Sequence, residues 1–89
     1  MEDFDLRLDG NAVGGLLHEV FLREVTTAVS TCAACGARGE LGGVHVYAHA
    51  PGVVLRCPRC EAVLMRIVQA GERIWLDVAG VRSLELRPA

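Results

Sequence analysis

A small, mainly β domain carrying one N-terminal helix is the fold class this 89-residue sequence predicts. Three observations predict it. From residue 24 onward, short β-branched stretches alternate with Gly- and Pro-containing turns. Ahead of them, apolar residues at 12, 13, 16, 17, 20 and 21 form one helical stripe. All four cysteines fall in two Cys-x-x-Cys pairs, Cys32/Cys35 and Cys57/Cys60, with 21 residues between Cys35 and Cys57. That is the spacing of four thiolates converging on one tetrahedral metal ion, most often zinc. The expected architecture is one domain over residues 1–89, with about five or six short antiparallel strands.

Taken in order, residues 1–8 are acidic. Phe4, Leu6 and Leu8 alternate with charged residues, which suits a loosely docked lead or a short edge strand. Asp9, Gly10 and Asn11 offer a turn and a helix N-cap, and the helix is expected over 9–22. Gly14 and Gly15 weaken it by about 1 kcal/mol each relative to alanine. They suggest a close approach or a first turn that forms late. Residues 24–31 (EVTTAVST) predict a strand leading into the first cysteine pair, with Val25, Thr27 and Val29 on one face.

Gly39, Gly42 and Gly43 mark a loop. Val44–Ala48 and Val53–Cys57 then predict a hairpin closed by the HAPG turn at 49–52, which carries the chain to the second pair. Ala62–Val68 is a further strand, turned back at Ala70-Gly71-Glu72 into Arg73–Val78. In that last stretch Ile74, Leu76 and Val78 share one face and Trp75 takes the other. The strands and both cysteine pairs span 24–78. Gly80 breaks the pattern, and 81–86 is a final short strand or helical turn.

The two cysteine turns differ in one respect. Gly36 follows the first pair, where a positive φ is needed. Glu61 stands at the matching place after the second pair, so that turn is expected to be built differently.

Size makes the metal matter. A chain this short buries only about 60–65 % of its unfolded surface. A structural zinc contributes roughly 10–16 kcal/mol of apparent binding energy, which matches the whole stability of an ordinary domain. Hydrophobic residues reach 52 % and mean hydropathy is +0.34. Both are high enough that part of the apolar surface is expected to face a partner or a second copy.

Net charge is −2, and a dication held by four thiolates adds two more negative charges. The arginines are scattered among acidic residues and there is no lysine. This balance argues against nucleic acid, which calls for a basic face. No run approaches the roughly 18 apolar residues of a membrane span, and the N-terminus has no signal-peptide pattern. Paired cysteines without an export signal point to a reducing compartment, the cytoplasm.

Two Cys-x-x-Cys turns joined by a hairpin, with strands continuing after them, resemble a zinc ribbon. More closely, LDGNA at 8–12, EVTTA at 24–28, VYAHAPGVVLRCPRC at 46–60 and WLD at 75–77 resemble an uncharacterised family of small zinc-ribbon proteins from high-GC bacteria. The resemblance implies the ribbon fold and a bound Zn²⁺, and implies no activity.

Several readings compete at the site. Cys32, Cys35, Cys57 and Cys60 holding one Zn²⁺ is the first. Iron in the same cage would make a rubredoxin-like electron carrier serving an oxidoreductase, because CxxCG and CPxC also occur in that pattern. The aromatic core of rubredoxins has a thin counterpart here in Phe4, Phe21, Tyr47 and Trp75. Dithiol redox cycling needs an exposed cysteine of low pKa, and two pairs at ribbon spacing argue against it. A Cys32/Cys35/His45/His49 finger would strand Cys57 and Cys60, and in an extended strand its two imidazoles would stand about 13 Å apart.

Arg56 and Arg59 are expected to be solvated charges that offset the negative cage, and His18 an ordinary surface residue. Trp75 is expected in the core or at its boundary. Asp77 with Glu85, and Glu19 with Glu24, are exposed charges rather than a catalytic pair. The sequence contains no phosphate loop, nucleophile elbow or acyl-transfer arrangement. The expectation is a non-catalytic interaction or accessory module, docking through its helix stripe or a strand edge. Iron electron transfer and nucleic-acid binding remain the alternatives.

Overall fold

The short strand β1 (Arg7–Asp9) opens the structure, a computed structural model that describes residues 7–22, 24–49 and 52–86. Phe4 and Leu6 of the expected lead, and Ala50-Pro51 of the hairpin turn, lie outside the described residues. Asp9 caps the helical segment, its carboxylate accepting the Ala12 N–H at 3.3 Å. The first turn is 3-10 (Gly10–Val13) and the α-helix α1 runs only over Gly14–Phe21. The α-helix is therefore shorter than the expected 9–22 and begins on the two glycines. Leu22 ends it in the left-handed conformation.

Seven more strands follow among the described residues: β2 (Val29–Cys32), β3 (Arg38–Glu40), β4 (His45–His49), β5 (Gly52–Arg56), β6 (Val63–Ala70), β7 (Arg73–Asp77) and β8 (Val81–Glu85). Mainly β with one short N-terminal helix is the fold class observed. The eight strands among the described residues exceed the expected number because β1 and β3 are too short to show a period. All pairings are antiparallel. One sheet has the order β1-β4-β5-β6-β7 and the other β3-β2-β8.

Three local expectations are corrected. The strand expected over 24–31 begins only at Val29. Glu24 bends the chain first: its carboxylate accepts the Thr26 N–H at 2.6 Å and the Thr26 hydroxyl, and Ala28 N–H closes onto the Val25 carbonyl. Such local side-chain bonds compete with a strand ladder. Val25 is buried while Thr27 is exposed, so the two do not share a face. The loop expected around Gly39–Gly43 contains β3 and a 3-10 turn at Leu41–Gly43. Trp75 is not core: it is 64 % exposed, because β7 is an edge strand and its outer face carries nothing among the described residues. The last segment is a strand, since β8 pairs along β2.

The core lies between α1 and the sheets. Leu17, Leu41, Val46, Leu55, Met65 and Ile67 are at or below 1 % exposure, and the buried Cys32 and Cys57 belong to the same cluster. Each β-hairpin that carries cysteines has a bulge beside it. Between β5 and β6 the register slips so that Leu64 has no partner, and between β2 and β8 Arg82 has none. The extra residue in β6 buries Leu64 and Met65 in succession, where strict alternation would expose one of them.

Candidate metal centre

Each cysteine pair is the turn of a β-hairpin. The first joins β2 to β3 and the second joins β5 to β6, so each sheet presents one pair at a hairpin tip. The two tips share one hydrogen-bonding pattern. Cys32 N–H donates to the Ala37 carbonyl at 2.9 Å, and Gly36 N–H donates to the Cys32 carbonyl at 2.9 Å. Cys57 N–H likewise donates to the Ala62 carbonyl at 2.9 Å, and Glu61 N–H to the Cys57 carbonyl at 2.8 Å. Gly36 and Glu61 occupy equivalent positions, and both have positive φ, +76° and +62°.

A left-handed glutamate costs about 1–2 kcal/mol relative to glycine. Side-chain bonds hold it there. Its carboxylate meets His45 Nδ1 at 2.5 Å and accepts from the Tyr47 hydroxyl at 3.1 Å. Arg56 Nη1 donates to its carbonyl at 2.8 Å and lies 5.7 Å from the centroid of the Tyr47 ring. The expectation of a differently built second turn is corrected: its backbone repeats the first, and only the side-chain bracket, which the sequence pattern does not show, sets it apart. Two signals could reveal it: a glutamate at a glycine position, and His45 and Tyr47 two residues apart on one strand face. Arg56 is thus bound into the turn and half-buried, whereas Arg59 is exposed as expected.

Gly80 ties the two tips together. Its carbonyl accepts Ala33 N–H from the first tip at 2.9 Å, and its N–H donates to Leu64, beside the second, at 3.2 Å. The bulge at Leu64 is what frees that carbonyl from the ladder. A Cβ on Gly80 would stand 1.8 Å from the Val63 carbonyl oxygen, so only glycine permits the approach. The sequence shows Gly80 only as a strand breaker.

The four sulfurs converge, all within 4.8 Å of one another. Cys32 Sγ and Cys60 Sγ are 3.8 Å apart, and Cys35 Sγ and Cys57 Sγ are 3.7 Å apart. A tetrahedron with metal–sulfur bonds of about 2.3 Å has edges of about 3.8 Å. A disulfide would need about 2.05 Å, and all four cysteines are free thiols. The residues present therefore fit a metal ion, with all four donors supplied by the protein. Cys32 and Cys57 are buried, while Cys35 and Cys60 stand at the surface.

The electrostatics favour a cation. The Cys35 backbone N–H, helped by that of Ala34, draws the Cys32 thiol down to about 7 against the opposing effect of burial. At Cys60 the Ala62 N–H also lowers the pKa, but burial and the three neighbouring thiols outweigh it and push the group up to about 12. Four thiolates this close cannot all ionise without a positive ion between them. His18 and His45 stay outside the cluster. His45 is engaged by Glu61 and His18 is exposed on α1.

Fold and site together define a small, mainly β protein with four cysteines positioned to bind one metal ion. The chain belongs to DUF6510, a family of unknown function whose profile matches residues 2–89. The searches of curated proteins and of solved structures each found no match. Among the described residues, no helix is long and apolar enough to cross a membrane.

Proposed function

We propose that this chain is a zinc-bound, non-catalytic interaction module of the zinc-ribbon kind, in which the ion holds two hairpin tips together. The observation that carries the reading is the sulfur–sulfur spacing of 3.7–3.8 Å at facing tips. Four protein sulfurs complete a tetrahedral shell and leave no position for a substrate or a metal-bound water, which favours a structural ion over a catalytic one. The scattered arginines favour a protein partner over nucleic acid. Thiols kept free suit the reducing cytoplasm.

A second reading rests on a separate observation. One cysteine of each pair is exposed, which would give bound iron a path for electrons to leave the cage. Metal analysis and an absorption spectrum of protein purified without added metal separate the two. Colourless protein with about one zinc per chain supports the structural role. Coloured protein with stoichiometric iron and a reversible one-electron couple supports the carrier.

A further inference from the structure

We propose that β7 is a dimerisation strand that pairs antiparallel with β7 of a second copy of this chain, with the two-fold axis passing through Trp75. The proposal narrows the interaction-module reading to one surface and one partner. It does not depend on which metal is bound.

β7 is the outermost strand of the five-stranded sheet and pairs only with β6 among the described residues. An open, apolar edge of this kind is a template for another strand. Ile74, Trp75, Leu76 and the adjoining Val78 are 42 %, 64 %, 41 % and 43 % exposed. They cluster on one element, whereas exposed apolar residues that are scattered singly need no partner.

The backbone is also in phase for such pairing. A two-residue turn at Gly71-Glu72, with Gly71 at φ +61°, closes on the Ala70/Arg73 pair. Two-residue turns close on a hydrogen-bonded pair, and these pairs alternate along the ladder. The N–H and C=O groups of Arg73, Trp75 and Asp77 therefore point at β6. Those of Ile74 and Leu76 point at the open edge.

The sequence of the strand says what fits there. β7 reads Arg-Ile-Trp-Leu-Asp: cation, aliphatic, aromatic, aliphatic, anion. Turned antiparallel about its centre, this pattern complements itself. Ile74 faces Leu76 of the second copy in two hydrogen-bonded pairs, which uses the outward backbone groups. Their side chains lie on the face of Ile67 and extend the apolar surface across the seam. Trp75 meets Trp75 at the non-hydrogen-bonded pair, where side chains come closest. On the same face as the tryptophans, each Arg73 stands opposite Asp77 of the other copy. An unrelated strand would require no such symmetry within β7.

The test is sedimentation velocity of the full-length, metal-loaded chain over a concentration series, with emission from the sole tryptophan followed in parallel. A monomer–dimer equilibrium with a blue shift on association is expected. Arg73→Asp sets carboxylate against carboxylate at both ends of the pair and should weaken association about tenfold or more. Adding Asp77→Arg to that variant reverses both charges, restores complementarity and should restore the dimer. Ile74→Pro removes an N–H from the open edge, with no β6 bond lost, and should give a folded monomer.

Metal content measured on each sample shows that the site is intact. A wild-type monomer at every concentration overturns the proposal and leaves the edge to a different chain. A dimer indifferent to Arg73→Asp and Ile74→Pro also overturns it, because association then uses another face. Either result in protein holding one zinc leaves the metal reading standing. A dimer that carries no metal would overturn the metal reading alone.

Discussion

Glu61 shows how much a single residue can hide. It occupies a backbone conformation that favours glycine, and it is held by His45, Tyr47 and Arg56. Two substitutions separate strain from bonding. Glu61→Ala loses the carboxylate bonds to His45 and Tyr47 and keeps the left-handed penalty, whereas Glu61→Gly loses the same bonds and relieves the strain. The alanine variant should be less stable than the glycine variant by about 1 kcal/mol, measured by denaturant unfolding of the metal-loaded protein.

The thiols give a second prediction at this scale. Metal competes with protons for sulfur. Cys32, drawn down to about 7, is already a thiolate above that pH and must lose a proton below it. The plot of log affinity against pH should therefore steepen by about one unit as pH falls through about 7. Competition with a chromophoric chelator across that range measures it. The four converging cysteines can be read from sequence because coordination chemistry imposes a short local spacing on such sets. The bracket cannot, because it joins residues 14 to 16 positions apart across a sheet.

At the level of elements, glycines at two places make opposite predictions. Gly80→Ala would drive a methyl into the Val63 carbonyl and pull the loop off both tips. It should cost about 2 kcal/mol or more and weaken metal binding. Gly15 sits in α1 with open space where a Cβ would stand. Gly15→Ala should raise stability by up to about 1 kcal/mol through helix propensity and a less entropic unfolded chain. Thermal unfolding of both variants in the same buffer checks the contrast.

The legibility of the strands obeys similar physics. β4, β5, β6 and β7 are readable because each is long enough to show a period of two between turn residues. β3 escapes a pattern reading because Arg-Gly-Glu is short, exposed and polar, and exists only as the return leg of a metal-site hairpin. The stretch before Val29 has strand composition, yet Glu24 and Thr26 bond to each other instead. Size alone argues for an inward Trp75. Edge position depends on the order of strands in the sheet, which composition does not encode.

In the whole molecule, the cysteine pairs belong to different sheets, and the ion would couple them. Removing it should do more than empty a pocket. The sulfurs would be left crowded at the join, and a chain with so small a core lacks the means to hold the tips together. Exhaustive chelation should lower the unfolding midpoint sharply or abolish the cooperative transition, followed by circular dichroism. Cys35→Ser and Cys60→Ser should behave as chelated protein does, because three sulfurs do not hold the cage. Each of those residues is exposed, so the loss could not be ascribed to core packing. The fold class is readable at this scale, since turns and β-branched runs recur along the chain. The division into two sheets is not, because it depends on β8 pairing with a strand about 50 residues earlier.

That long-range pairing bears on how the two sheets are completed. Until β8 docks, β2 has only β3 beside it, and the three-stranded sheet stays incomplete. The five-stranded sheet needs nothing beyond Asp77. The three-stranded sheet is therefore whole only once β8 docks along β2, which makes β8 the latch of that sheet.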